Sequence, residues 1–148
     1  MEQGITNIKQ ASGAPEKLIL KGRNVTVSPL GVAELVAMES WISEAPLRRA
    51  MSIINSETGR LSVTEENRDK LVYEAVKEGA ALNMKSEEGQ AMLESLSGVR
   101  FVLWLSMVKT DKSLTQEDVF DLVDLDNLKT VSEALDRVSG LKEIASGE

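Results

Sequence analysis

"FVLWLSMVKTDKSLTQEDV", residues 101–119, joins an apolar run to a short, acidic, capped segment. From Val99 to Val108, 8 of 10 residues are apolar, about half the ~20 that would span a bilayer as a helix. A segment apolar on nearly every side has to be enclosed by other elements, which places it at the centre of a core. Two readings of its backbone compete. A helix starting at Ser86, with Glu87 and Glu88 at the positive end of its dipole, carries Met92, Leu93 and Leu96 forward. It then runs through Gly98 to about Lys109, at a cost of about 1 kcal/mol for the internal glycine. A strand over 99–108 is the alternative, because Val and Phe are good strand formers. The helix is the expected form.

Beyond the run, Thr115 and Asp118 have capping-box spacing, so a short helix is expected over about 116–123. Asp124 or Asp126 then caps a last helix, on which Leu128, Val131, Leu135 and Val138 recur at three-and-four spacing. That stripe either packs on the chain's own core or seats a partner helix. Together with Asp121, Asp124 and Asp126 it forms the candidate partner-binding surface. Ser146 to Glu148 read as a frayed end.

Upstream, Ser62 and Glu65 also have capping-box spacing, and Leu71, Val72, Ala75, Val76 and Leu82 follow at helical intervals, which predicts a long helix over 65–84. Pro46 interrupts the preceding pattern and starts a shorter helix to about Asn55, ended by a Glu57-Thr58-Gly59 turn. Ser28 followed by Pro29 marks another start. The helix from Pro29 to Ser43 carries Val32, Leu35, Val36 and Ile42 on one stripe, widened by Ala33, Ala37 and Trp41. Before it, Leu18–Leu20 and Val25–Val27 flank a Lys-Gly-Arg-Asn turn, a β-hairpin signal. Residues 1–15 are polar, contain glycine and end in Pro15, and read as a flexible arm. The expected architecture is mainly α: a small helical bundle with a short N-terminal β-hairpin, formed by one domain over residues 16–148.

A chain of 148 residues suits one such core. The only aromatic residues are Trp41, Tyr73, Phe101, Trp104 and Phe120, so aliphatic side chains carry most of the packing. The net charge is −7, and the excess of acids falls mostly within residues 111–148. Phosphate backbones and anionic lipid surfaces repel such a chain, so neither nucleic acid nor membrane is an expected partner; a basic protein surface is. The start, MEQGITNIKQASGAP, has no basic head followed by an apolar stretch, and a cytoplasmic protein is expected.

The sequence holds no histidine and no cysteine, which removes the usual neutral-pH acid–base group, thiolate chemistry, disulfides and the preferred zinc ligands. No nucleophile elbow or phosphate-cradling glycine loop is present, and no enzyme activity, cofactor or metal is expected. Asp121, Asp124 and Asp126 are the one oxygen-ligand cluster to weigh, but neither Asp111 nor Asp121 opens a loop with EF-hand spacing. A solvated helix end accounts for the acids. Trp41 and Trp104 lie within apolar helical patterns and read as core, and Arg48 and Arg49 as an exposed helix face.

The hairpin leading into "SPLGVAELVAMESWI" and, later, "GVRFVLWLSMVKTDKSLTQEDVFDLV" resembles the tail assembly chaperones of tailed bacteriophages. The shared features are the P-L-x-x-x-E-L run at Pro29 to Leu35 with Trp41 after it, L-W-L-S at Leu103 to Ser106, and L-T-x-E-D-V at Leu114 to Val119. Residues 17–138 are covered. Where such proteins usually carry a proline beside the acid before the L-T step, this chain has Asp111-Lys112-Ser113.

The resemblance implies a non-enzymatic protein of the host cytoplasm. It would hold the tape-measure protein in solution while tail-tube subunits polymerise around it, and would be absent from the finished particle. It also implies that a longer, frameshifted form can exist, and it allows a homo-oligomer. Two other readings stand beside it: a structural virion protein of the head, neck or tail, and an acidic regulatory adaptor on a basic protein surface.

Overall fold

The computed structural model describes residues 14–139; nearly all of the expected N-terminal arm, and the expected frayed end, lie outside them. Strands β1 (Glu16–Leu20) and β2 (Arg23–Val27) pair antiparallel with Leu20 opposite Arg23. Only Lys21 and Gly22 make the turn, with φ of 54° and 75°. Two consecutive positive φ values match the right-handed twist of the strands, the signature of a type I′ hairpin turn. The turn is therefore tighter than expected, and Arg23 and Asn24 belong to the strand. Leu20, Val25 and Val27 are buried, whereas Ile19 faces outward.

Eight helices follow among the described residues: α1 (Val32–Ser43), α2 (Ala45–Ile54), α3 (Glu57–Ser62), α4 (Glu65–Ala80), α5 (Glu87–Glu94), α6 (Leu96–Val108), α7 (Gln116–Phe120) and α8 (Leu128–Ser139). The protein is mainly α, with the hairpin at its N-terminal side, as the sequence predicts.

Ser28 does not cap α1. The helix starts at Val32, where the Glu34 carboxylate accepts from the Gly31 N–H at 2.8 Å. Ser28 is instead buried against α6: its N–H donates to Ser106 Oγ at 2.6 Å, and Ser106 Oγ donates to its carbonyl at 2.7 Å. Two residues on, the Leu30 N–H donates to Ser139 Oγ at the end of α8. The expected stripe on α1 is also rotated. Met38 and Ile42 are fully buried, with Leu35 and Trp41 beside them, while Val32 and Val36 are 78% and 59% exposed. Apolar residues surround this helix, so several stripes fit its sequence, and its packing against α2, α4, α5 and α6 selects one.

The Glu57-Thr58-Gly59 segment is not a turn but opens α3, capped by Ser56 Oγ, which accepts from the Gly59 N–H. Thr64, not Ser62, caps α4, and that helix ends at Ala80 rather than 84. Its only buried residues are Ala75 and Gly79. Leu71 and Val76 face solvent, because α4 leans on α2 through small side chains. At Gly79 a Cβ would lie 1.9 Å from the Ser43 carbonyl oxygen, so only glycine allows that approach.

The decisive apolar run is helical, but the helix entering it is broken. α5 ends at Glu94, and α6 begins after Ser95 at an angle of 73°. Ser95 Oγ accepts from the Gly98 N–H at 3.1 Å and donates to the Met92 carbonyl. Gly98 thus sits in the first turn of a new helix, where a Cβ would lie 2.0 Å from the Met92 carbonyl oxygen. The glycine accommodates the corner and is not a cost within a continuous helix.

α6 then runs through the middle of the core. Val99, Val102, Leu103, Leu105 and Met107 are buried, and they pack among the hairpin, Met38 and Ile42 of α1, Val119 of α7 and the inner face of α8. The capping box at Thr115 and Asp118 forms as expected, but α7 stops at Phe120 and leaves Leu122 and Val123 buried in the following loop. In that loop Asp124 Oδ1 accepts from the N–H groups of Asp126 and Asn127, and Asn127 Oδ1 accepts from the Asp124 N–H. Asp124 so organises the approach to α8.

Candidate functional site

Of the predicted partner-binding residues, Val131, Leu135 and Val138 are buried in the chain's own core, so most of the stripe on α8 is taken up by packing, while Leu128 is only half-buried. The stripe's spacing is that of packing, the other reading the sequence allowed. Asp124 pairs with Lys21 of the hairpin turn, and with the loop N–H groups this holds its carboxyl below the usual carboxylate range. Asp121 and Asp126 stay exposed on either side. Among the described residues no three acidic side chains converge as a cation site.

Leu128 and Leu135 nevertheless line a groove of about 550 Å³. One wall is α5, through Gln90, Leu93 and Glu94; the other is α8, through Leu128, Ser132 and Leu135, with Lys129, Glu133 and Asp136 one helical row farther out. Met38, Met84, Val99 and Val102 form the floor, and Leu125, 76% exposed, stands at one end. The volume falls within the ~300–1,000 Å³ common to ligand sites. Glu39 accepts from the Met84 N–H at 3.1 Å, which ties the loop before α5 to α1 and keeps that floor in place. Sequence reasoning missed Met38, Met84 and Leu93 because three separate elements bring them together. No local signal marks them, since Met38 lies in the middle of α1 and Met84 in the loop between α4 and α5.

A second, smaller cleft lies across α6 from this groove, lined by Trp41, Arg48, Ser97, Arg100, Phe101 and Phe120. Trp41 stacks on Phe101 with ring centroids 5.3 Å apart, and Trp104 tilts against Phe101 while its Nε1–H donates to the Leu114 carbonyl. Arg48 lies over Trp41 and donates to its carbonyl; burial pushes its guanidinium pKa down. Arg100 lies 3.7 Å from the Phe120 ring centroid and donates twice to the Val123 carbonyl. Both guanidinium groups work as clamps between elements, combining cation–π contact with carbonyl bonds. The tryptophans are packing residues, as expected, whereas Arg48 does more than decorate a solvated face.

No single helix among the described residues is long and apolar enough to cross a membrane. No family model, curated protein or solved structure matches the chain.

Proposed function

We propose that this protein is a tail assembly chaperone of a tailed bacteriophage, acting without catalysis in the cytoplasm of the bacterial host. It holds an apolar segment of the tape-measure protein while tail-tube subunits assemble around that protein. The observation that carries this reading is the groove between α5 and α8, where exposed Leu125 and half-buried Leu93 and Leu128 offer a limited apolar surface on a chain whose net charge is −7. Exposed charge keeps such a carrier soluble, and a limited apolar surface gives contact that a polymerising tube can displace. The L-W-L-S to L-T-x-E-D-V junction supports the same reading, since α6 supplies part of the floor and the segment after it places α8 as the wall.

The test is co-expression with the tape-measure and tube proteins of the same genome, followed by pull-down at low salt. Capture of the tape-measure protein is expected; capture of neither protein overturns the proposal. Mass spectrometry of purified particles adds a second arm. Stoichiometric presence there would replace a transient chaperone with a structural virion component.

A further inference from the structure

We infer that the groove takes an amphipathic α-helix bearing an apolar ridge and lysine or arginine on both flanks. The inference deepens the chaperone reading by giving the chemistry of the client segment. Along α8, Leu128, Ser132 and Leu135 form the row that faces the groove, and Lys129, Glu133 and Asp136 form the adjacent row at its rim. Across the gap α5 repeats the order, with Leu93 inside and Glu94 outside. The rim thus carries carboxylates on both sides, and its single lysine lies 4.0 Å from Glu133 on the same helix. An occupant with cations on both flanks meets opposite charge on each wall, whereas an acidic one is repelled from both.

The occupant is a helix and not an extended strand for a backbone reason. The floor is made of Met38, Met84, Val99 and Val102 side chains, which offer no hydrogen bonds to a strand's N–H and C=O groups. A buried backbone polar group without a partner is costly, and a helix satisfies its own. From Leu128 to Asp136 the wall rises roughly 12 Å, enough for about two turns and anchors at i, i+3 or i+4, and i+7. The apolar side chains that an incoming ridge meets first are Leu125, which is exposed, and Leu93 and Leu128, which are half-buried.

The experiment uses the full chain and a fluorescein-labelled synthetic helix with leucines at i, i+3, i+4 and i+7 and lysines on both flanks. Fluorescence anisotropy should show saturable binding that weakens as salt rises. A peptide with glutamates in place of the lysines should bind at least about tenfold more weakly. The charge-reversed variant Glu94→Lys/Glu133→Lys changes only exposed side chains, so its fold should survive, which circular dichroism checks. It should invert the preference between the two peptides. Equal binding of both peptides, no binding of either, or a preference unmoved by the variant overturns the inference. Should the peptides behave as expected while the tape-measure protein is not captured, the groove chemistry stands and the chaperone reading falls. Should wild type and variant capture the tape-measure protein equally, the chaperone reading stands and this inference falls.

Discussion

The helical arm formed by α2, α3 and α4 and the central pair α6 and α8 draw on similar apolar residues and bury them very differently. α6 buries Val99, Val102, Leu103, Leu105 and Met107, and α8 buries Val131, Leu135 and Val138. In the arm the buried side chains are mostly small, namely Ala45, Pro46, Ala50 and Ala75, with Ile54 the largest; Ile53, Leu61, Tyr73 and Val76 are exposed. Large aliphatic side chains interlock in the centre, and close backbone approach through small ones holds the arm. The centre therefore sets global stability, while the arm is a unit that can open on its own.

The largest expected effect tests the centre. Leu103→Ala removes a fully buried side chain and should cost roughly 3 kcal/mol, read as a lowered midpoint in urea for every helix together. If the arm's signal alone shifted, the division of labour would be reversed. Ser106→Ala comes next, at roughly 2 kcal/mol, because it leaves the buried N–H and C=O of Ser28 without their partner. Its counterpart Ser28→Ala should cost almost nothing, since Ser28 Oγ has no partner among the described residues. Gly79→Ala forces a Cβ against the Ser43 carbonyl and should lift α4 away at a cost of roughly 1–3 kcal/mol. Hydrogen exchange should then speed up in α2 and α4 while α6 and α8 keep their protection.

Acid supplies a smaller effect of opposite location. The Glu34 carboxyl is held below its ordinary range by the Gly31 N–H first and the Lys109 ammonium second, and Asp118 by Thr115. With Asp124 these groups all sit at corners outside the arm. A depressed folded pKa gives stability that is fully present above the unfolded value and lost as pH falls through the folded one. Thermal melts should be level from neutrality to about pH 5 and decline below about pH 4. Glu34→Gln should flatten that decline; an unchanged profile would deny Glu34 its part. Lys21, raised chiefly by its bond to Asp124, acts at the other extreme: its contribution is present below the unfolded lysine value and lost at higher pH. Leu61→Ser stands beside Ser28→Ala at the small end. The leucine side chain is 87% exposed, and the change should stay within about 0.5 kcal/mol in a chemical melt.

Local chemistry made much of the fold legible. The Thr115–Asp118 box, the Ser86 start and the hairpin are written in adjacent residues, and all three form. A repeated S-x-x-G spacing was also there to be read at Ser56–Gly59, Ser86–Gly89 and Ser95–Gly98. Each serine oxygen accepts from the glycine N–H and donates to a carbonyl three residues back. At Ser95 the surrounding apolar run hides the corner, and a helix passing through Gly98 satisfies the same periodicity. The exposed Val32 and Val36, and the thin packing of α4, were not legible, because three-and-four spacing states that a stripe exists without saying what meets it. The groove lay further out of reach still: Met38, Met84 and Leu128 meet only once the 73° corner has turned α5 away from α6.

The bonds from Ser28 to Ser106 and from Leu30 to Ser139 carry a consequence for synthesis on the ribosome. The exit of the hairpin has no lasting place to dock until residues 78 and 109 positions later have emerged. Early translation thus yields a hairpin waiting with its apolar face uncovered, and closure comes late, in one step that joins the two ends of the domain. A ribosome stalled before Ser139 should carry a nascent chain that proteases still cut between Val27 and Val32.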